Sequence, residues 1–382
     1  MMTSPTQALF FYTPKYQDFD YGSTHPMKIR RLKLTHDLIQ AYGLLHPNHV
    51  RLAGVPAAAD EDLLRIHTKE YLDVLREADE ALPPTHSRQF GLGPGDCPIF
   101  PGLFTYSALL TGASLEAARH LASGEIPRAF NIAGGLHHAA SNRASGFCYI
   151  NDAAVAISFL VDQGLRVAYV DIDAHHGDGV QAAFYDSEQV LTISLHETGL
   201  TLFPGTGFPE EIGTGKGEGY SVNVPLAPET DDDIFIWAFE ETVPPLLEAF
   251  RPDVIVTQLG IDGHRSDPLS NLRLTMRGFI RAVTLFEQSP ARWLALGGGG
   301  YYLGNVPRAW TAVWARMAGI EIDPELPPAF LSPFRTEGCT ETSLTDPPYQ
   351  TEGARKEEAW GYARTQVQHV HELIFPRLGI QG

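Results

Sequence analysis

Two aspartates and a histidine alternate where a short apolar run of the sequence ends. The run covers residues 167–171 and closes on Asp171, and Asp173 and His175 follow it at intervals of two. On extended backbone, side chains two positions apart share one face. Adjacent carboxylates in an apolar environment are unfavourable unless a cation compensates their charge. Since no lysine or arginine occurs between residues 167 and 194, the pattern predicts a metal site rather than a salt-bridged strand end.

A second apolar run, at 254–259, is followed by Asp262, which can supply the third ligand. Two aspartates and one histidine form an oxygen-rich set with open positions, which is typical of catalytic metal sites. Such ligands suit Zn²⁺ and leave Fe²⁺, Mn²⁺ and Co²⁺ open. Asp267 is the alternative ligand, but an Asp-Pro pair more often shapes a turn. We therefore predict Asp173, His175 and Asp262 as the metal ligands.

Two further segments carry groups that are suited to catalysis. His137 and His138 follow an apolar run and two glycines, which must bend the chain if both rings are to reach one site. Asp171 and Asp178 are available to orient these imidazoles. Four consecutive glycines at 297–300 precede Tyr301 and allow the backbone to approach a ligand closely. Nucleotide binding is excluded, because neither this run nor the glycine-rich run at 213–220 has the pattern of a phosphate-binding loop.

Alternating strands and helices must position these groups. Apolar runs predict strands at 8–13, 129–132, 167–171, 190–194, 254–259 and 293–296. Apolar residues at three- and four-residue spacing predict helices at 27–42, 103–121, 151–163, 231–250 and 276–288. This alternation indicates one α/β domain over residues 1–382, with helices on both faces of a mainly parallel sheet. A proline-rich surface segment is predicted at about 323–349, and a C-terminal helix at about 352–375.

Composition narrows the class of protein further. The 382 residues are 43% hydrophobic and 19% charged, which is ordinary for a globular chain. A formal charge of −18 disfavours direct binding to nucleic acid. Three cysteines without CxxC spacing fit a reducing compartment. No signal peptide and no apolar run long enough to cross a membrane is evident, so a soluble cytoplasmic protein is expected.

Taken together, the motifs resemble those of the histone deacetylase family from about residue 12 to about residue 319, and in detail they are most similar to its bacterial acetoin-utilisation branch. The family's fold is a three-layer α/β/α arrangement around a mainly parallel eight-stranded sheet, which is shared with arginase. The segments that carry the resemblance begin at His25 (HPMK), Asp96 (DCP), Gly134 (GGLHHA), Gly146 (GFCYIND), Asp171 (DIDAHHGDG), Phe203 (FPGTG) and Gly297 (GGGGY).

The resemblance implies a role for each catalytic group. The metal would polarise an acetyl carbonyl and activate water. His138, held by Asp178, would act as the general base and then the general acid. His137, paired with Asp171, would contribute positive charge, and Tyr301 would donate a hydrogen bond to the developing oxyanion.

The resemblance also implies the remaining binding residues. Phe147 and Phe203 would enclose the lysine methylenes, Asp96 would grip the substrate backbone at the rim, and Arg31 would line an acetate exit. Other substrate-binding positions are Gly146, Gly299 and Leu269. One K⁺ site would use Asp171, Asp173, His175, Ser194 and Leu195, and a second would use Phe184, Ser187, Val190 and Tyr220.

The expected activity is hydrolysis of the acetyl amide of N6-acetyl-lysine in proteins or peptides. Leu269 is apolar, whereas relatives that act on cationic acetylpolyamines place a carboxylate at that position. Deacetylation of acetylpolyamines or other small amides remains one alternative, together with an arginase-like reaction at two Mn²⁺ ions. A non-catalytic protein that binds acetyl-lysine is the alternative from another class. The oligomeric state is left open.

Overall fold

Eight parallel strands form the centre of the protein in a computed structural model that describes residues 7–80, 83–84 and 86–381. The strands are β1 Ala8–Phe11, β2 Val50–Ala53, β3 Arg128–Asn131, β4 Val167–Asp171, β5 Val190–Glu197, β6 Ser221–Leu226, β7 Val254–Gln258 and β8 Arg292–Leu296. They are hydrogen-bonded side by side in the order β2-β1-β3-β8-β7-β4-β5-β6. The parallel eight-stranded sheet expected from the sequence and the resemblance is therefore confirmed.

Helices cover both faces of this sheet. They are α1 Arg30–Ala41, α2 Asp60–Leu63, α3 Lys69–Ala78, α4 Leu103–Ala122, α5 Asp152–Asp162, α6 Asp178–Ala183, α7 Asp232–Phe250, α8 Met276–Glu287, α9 Val306–Met317, α10 Pro328–Thr336 and α11 Gly353–Leu373. In β1, Leu9 and Phe11 pack in the apolar cluster that includes α4 and α5, whereas Ala8 and Phe10 pack in the cluster that includes α7, α8 and α9. Alternating side chains of one strand thus enter different layers, as expected for a sheet that is buried on both faces.

The two strands that the sequence did not predict lie at the two edges of the sheet. In β2 only Val50 is buried, and Leu52 is exposed, so its apolar pattern is weak. In β6, Asn223 and Pro225 interrupt the apolar residues. Proline lacks the N–H that a central strand requires, and it is tolerated at an edge.

The proline-rich segment at 323–349 contains α10 and contributes to a small core of its own. Phe330 and Phe334 are buried and pack with Leu34 and Leu38 of α1. A second attachment is polar: the Asp346 carboxylate accepts a hydrogen bond from the Met276 backbone N–H at 2.8 Å. It also contacts His264 Nε2 at 2.8 Å and an Arg308 guanidinium nitrogen at 2.9 Å. The segment is therefore anchored to the elements that follow β7 and β8.

Two further findings concern the helices and the cysteines. None of the helices in the described residues has the length and apolar character needed to cross a membrane. Cys97, Cys148 and Cys339 are all buried free thiols.

Candidate active site

Asp173, His175 and Asp262 converge in a buried cluster beyond the ends of β4 and β7. One potential ligand atom from each residue lies within 4.8 Å of the others. His175 Nδ1 is 2.9 Å from Asp262 Oδ2 and 3.1 Å from Asp173 Oδ1. The two strands are neighbours in the sheet, and Asp171 of β4 pairs with Gln258 of β7. The register therefore brings residues from two distant parts of the sequence to one point.

Each carboxylate of the cluster is oriented through its second oxygen. Asp173 Oδ2 accepts hydrogen bonds from the Gly299 N–H at 2.7 Å and from Gln258 Nε2 at 3.0 Å. Asp262 Oδ1 accepts one from the Ala174 N–H at 2.9 Å. The remaining oxygens, Asp173 Oδ1 and Asp262 Oδ2, face His175 Nδ1. These three atoms form a preoriented donor set for a cation.

Two glycines make room for this cluster. A Cβ at position 260 would lie 2.0 Å from Asp173 Oδ2, and a Cβ at position 299 would lie 2.1 Å from Asp262 Oδ2. Any other residue at either position would displace a ligand carboxylate, so the close approach of the backbone requires glycine.

The electrostatics of the cluster favour a bound cation. Burial and the nearby Asp173 carboxylate raise the pKa of Asp262 to about 6. Burial lowers the pKa of His175, but the two carboxylates outweigh it and raise that pKa well above its usual value. Positive charge is thus strongly favoured between Asp173 and Asp262. Because a divalent cation would supply that charge while displacing a proton, the residues present fit a metal site.

A chain of hydrogen-bonding groups runs beside the cluster through the two histidines. His137 Nδ1 is 2.7 Å from Asp171 Oδ2, and His138 Nδ1 is 2.7 Å from Asp178 Oδ1. The two Nε2 atoms are 3.0 Å apart, so the two rings approach each other through these nitrogens. His137 Nε2 also lies 4.0 Å from Asp173 Oδ1, which places the pair next to the proposed metal ligands.

The two histidines differ in their affinity for a proton. Burial lowers the pKa of His137, but the charges of Asp171 and Asp173 outweigh it and raise that pKa to about 9. Burial and the neighbouring His137 lower the pKa of His138 to about 4. At neutral pH His137 is therefore charged and His138 is neutral, with a lone pair on Nε2. A neutral imidazole is the form that can accept a proton.

Tyr301 is held at the other side of the cluster. Its backbone N–H donates to Asp267 Oδ2 at 2.7 Å, and its ring packs edge-on against Phe147 with centroids 5.6 Å apart. Burial and the carboxylates of Asp262 and Asp173 raise the pKa of the Tyr301 hydroxyl well above its usual value. The hydroxyl therefore remains protonated and can donate a hydrogen bond.

Asp267, the alternative ligand in the sequence analysis, lies outside the predicted triad. Its carboxylate instead accepts backbone N–H groups from Leu269, Tyr301 and Tyr302. It thereby fixes the turn that carries half-buried Leu269, as its Asp-Pro sequence suggested, and it also holds the backbone of the separate segment that carries Tyr301.

The predicted substrate-binding residues lie around the same site. The Phe203 ring is 44% exposed and packs edge-on against His138, with centroids 5.0 Å apart. Phe147 instead contacts Tyr301. Glycine is required at position 146, directly before Phe147, because a Cβ there would lie 2.3 Å from His138 Cδ2. The Gly146 N–H donates to Asp96 Oδ2 at 2.9 Å, which connects the carboxylate that was predicted to lie at the rim to the site.

Arg31 is buried on the far side of the glycine run. Its guanidinium donates to the Gly300 carbonyl at 2.9 Å and lies over the Trp310 ring, 5.2 Å from the centroid. A buried cation next to Tyr301 is consistent with an environment that would attract an acetate ion.

The residues predicted for K⁺ lie on β4 and β5, between these two strands, and directly before β6. Asp171 pairs with Ser194 across these strands. In the second predicted site, the Ser187 N–H donates to the Phe184 carbonyl. The Tyr220 carbonyl accepts from the N–H of Thr192 on β5, which is not itself one of the predicted residues. Both K⁺ sites remain predictions.

Sequence analysis missed several groups that support the site. Gln258 Nε2 contacts Asp173, and the Tyr169 hydroxyl donates to Asp171 Oδ2 at 2.7 Å. The buried Asp152 carboxylate accepts from the Gly135 and Leu136 N–H groups and so fixes the turn before the histidines. Each of these supporting residues carries a polar group and lies in or next to an otherwise apolar strand or helix. That contrast is the sequence signal from which they could have been found.

The chain is similar in sequence to proteins of the histone deacetylase family. The family model for the histone deacetylase domain matches residues 25–317. The acetoin utilization protein AcuC of Bacillus subtilis is 41% identical over 332 residues, which cover 85% of each chain. Histone deacetylase B of Dictyostelium discoideum is 42% identical over 327 residues, which cover 85% of this chain and 77% of the relative.

Solved structures show the same similarity. A crystal structure of an HDAC homolog complexed with SAHA superposes with a TM-score of 0.87 at 34% identity, covering 96% of this chain and all of that one. An HDAC homolog from Aquifex aeolicus gives a TM-score of 0.85 at 34% identity, covering 94% of this chain and all of that one.

Proposed function

Because this chain belongs to the histone deacetylase family, whose members are metal-dependent deacetylases, we propose that it hydrolyses the acetyl amide of N6-acetyl-lysine in proteins or peptides. The products would be lysine and acetate. The observation that carries the proposal is the convergence of a buried Asp-His-Asp cluster with a carboxylate-bound histidine pair. A reducing, cytoplasmic setting is part of the proposal.

Asp173, His175 and Asp262 would hold the metal, and Zn²⁺ is the ion that we propose for this donor set. When bound, such a cation polarises an amide carbonyl and lowers the pKa of a nearby water. Fe²⁺, Mn²⁺ and Co²⁺ accept the same ligands. K⁺ at the two predicted sites is proposed as a structural ion.

The protein's own residues would move the protons. His138, which is neutral, would accept a proton from the attacking water through Nε2 and later deliver it to the leaving amine. Asp178 keeps the His138 ring oriented through Nδ1. His137, which is charged, would stabilise negative charge that develops at the carbonyl. The Tyr301 hydroxyl would donate a hydrogen bond to the same oxygen.

The residues at the entrance favour an acetylated lysine over an acetylated polyamine. Phe147 and Phe203 present aromatic surface that suits a chain of methylenes. Leu269, two residues after Asp267, offers no charge to a second amine. We propose Asp96 as a rim residue, whose carboxylate would accept backbone N–H groups of a peptide.

The test compares two substrates with one metal-loaded preparation. We expect kcat/KM for an acetyl-lysine peptide to exceed that for acetylputrescine by at least about 100-fold, because an unpaired substrate cation next to an apolar gate is strongly disfavoured. Chelation should abolish both rates, and added Zn²⁺ should restore them. A preference for the diamine would show that an acetylated polyamine, and not acetyl-lysine, is the substrate. Hydrolysis that survives chelation would refute a metal-dependent reaction.

The two histidines should respond differently to mutation. His138→Ala should reduce kcat by about 10²- to 10⁴-fold because it removes the proposed general base. His137→Ala should cost less, since it removes charge but leaves the proton acceptor. Steady-state kinetics at equal metal content would measure both, with His120→Ala on α4 as the control. Equal or reversed losses would mean that the two roles are interchanged.

A further inference from the structure

A groove of about 380 Å³ lies beside the entrance to the proposed active site, and two arginines, Arg88 and Arg143, line it. Asp96 is also part of its wall. Through the hydrogen bond from the Gly146 N–H to Asp96, the groove borders the residue that precedes Phe147. A ligand that occupies the groove would therefore adjoin a substrate bound between the two aromatic rings.

The backbone around the groove is fixed by close contacts. The Ala144 N–H donates to the Phe90 carbonyl at 2.9 Å, and the Gly93 N–H donates to the Cys97 carbonyl at 3.0 Å. Gly91 has a φ of +78°, and a Cβ there would lie 2.0 Å from the Ala144 carbonyl oxygen. The groove is thus a preformed surface made where two loops pack together.

The arginine side chains in this groove have no partner within the described part of the chain. Neither Arg88 nor Arg143 makes an ion pair with Asp96, although all three line the same groove. Apart from Arg251 and Arg335, every other arginine side chain forms a hydrogen bond, an ion pair or a ring contact with a described residue. Two exposed, uncommitted guanidinium groups therefore meet in one place.

The local charge contrasts with that of the whole protein. A chain with a formal charge of −18 repels acidic ligands in general. Guanidinium groups bind carboxylates through paired N–H donors, and each unpaired guanidinium in the groove retains that capacity. We propose that Arg88 and Arg143 form a specificity subsite for a carboxylate of the substrate, carried by an acidic residue close to the acetyl-lysine. This inference rests on the proposed function and adds a sequence preference to it.

Matched peptides can test the subsite. Peptides with one acetyl-lysine would carry Glu or Gln at each of the two positions on either side, with amidated C-termini. A further Gln peptide with a free C-terminus would distinguish a terminal carboxylate from an acidic side chain. We expect at least one Glu peptide to exceed its Gln partner in kcat/KM by about fivefold at low salt. The ratio should fall as ionic strength rises.

The double variant R88Q/R143Q should bring the Glu-to-Gln ratio close to one. Arg335→Gln, which removes an equally unpaired arginine from α10, should preserve the ratio of the unmodified protein. A ratio near one in the unmodified protein at every position, or a ratio that the double variant leaves intact, would overturn the subsite. A preference confined to the free C-terminus would replace the acidic side chain with a terminal carboxylate.

Binding separates this inference from the proposed function. Fluorescence anisotropy with labelled Glu and Gln peptides measures the affinity of each peptide, so it detects the same preference without requiring hydrolysis. If no peptide is hydrolysed but the Glu peptide binds more tightly in an Arg88- and Arg143-dependent way, the deacetylase proposal fails and the subsite stands. If peptides are hydrolysed while Glu and Gln forms bind equally, the subsite fails and the deacetylase proposal stands.

Discussion

Replacing Tyr301 with phenylalanine should lower kcat by about 10²- to 10³-fold while KM changes little. The substitution removes one hydroxyl, which we propose donates a hydrogen bond to the oxyanion, and loss of one such donor typically has an effect of this size. The phenylalanine ring can keep its packing against Phe147, and its backbone N–H can still donate to Asp267. The loss should therefore appear in the chemical step rather than in substrate affinity.

Tyr302→Phe is the matched control for this prediction. The neighbouring Tyr302 hydroxyl donates to Glu341 at 2.9 Å and is bound to the proline-rich segment rather than to the active site. Its removal should leave kcat within about twofold, since surface hydrogen bonds contribute little to a distant reaction. Metal content should be equal in both variants. An unchanged rate for Tyr301→Phe would rule out the proposed hydrogen bond from Tyr301 to the oxyanion. A large loss for Tyr302→Phe instead would assign that hydrogen bond to Tyr302.

The central part of the fold and the proposed metal cluster could be predicted from the sequence because both depend on local patterns. Six central strands carry mainly apolar runs, and the carboxyl ends of parallel strands meet at one edge of the sheet. Asp173 and Asp262 each follow such a run, so their proximity follows from β4 and β7 being neighbours. That β4 and β7 are neighbours in the sheet could be learned only from the structure.

The supporting contacts could not be predicted because they join segments that are far apart in the chain. Nothing near Asp346 indicates that it binds His264 and Arg308. Likewise, Arg88 and Arg143 lie on separate loops, and their shared groove depends on how Gly91 packs against Ala144. Long-range polar contacts of this kind carry no periodicity, which is the signal that sequence reasoning uses.

Asp173→Asn should prevent metal binding and reduce activity to background. The change keeps the size of the side chain but removes a negative charge from a three-residue donor set, and we expect metal affinity to fall at least about 100-fold. Metal analysis after dialysis would measure the loss, and Asp73→Ala on the exposed face of α3 is the control. If the variant retained one equivalent of metal with unchanged affinity, Asp173 would not be a ligand.

Thermal unfolding distinguishes lost metal binding from lost folding. At a free Zn²⁺ concentration of 100 Kd, binding should stabilise the unmodified protein by about 2.7 kcal/mol, because the ion binds the folded form only. The Asp173→Asn variant should unfold cooperatively but show almost no shift on addition of Zn²⁺. The comparison uses the Zn²⁺-induced shift within each protein, so a change in the baseline stability caused by losing the contacts of Asp173 with Gly299 and Gln258 does not affect it. An equal shift in both proteins would mean that Zn²⁺ binds elsewhere. The proposed reaction would then have no metal ion at Asp173, His175 and Asp262.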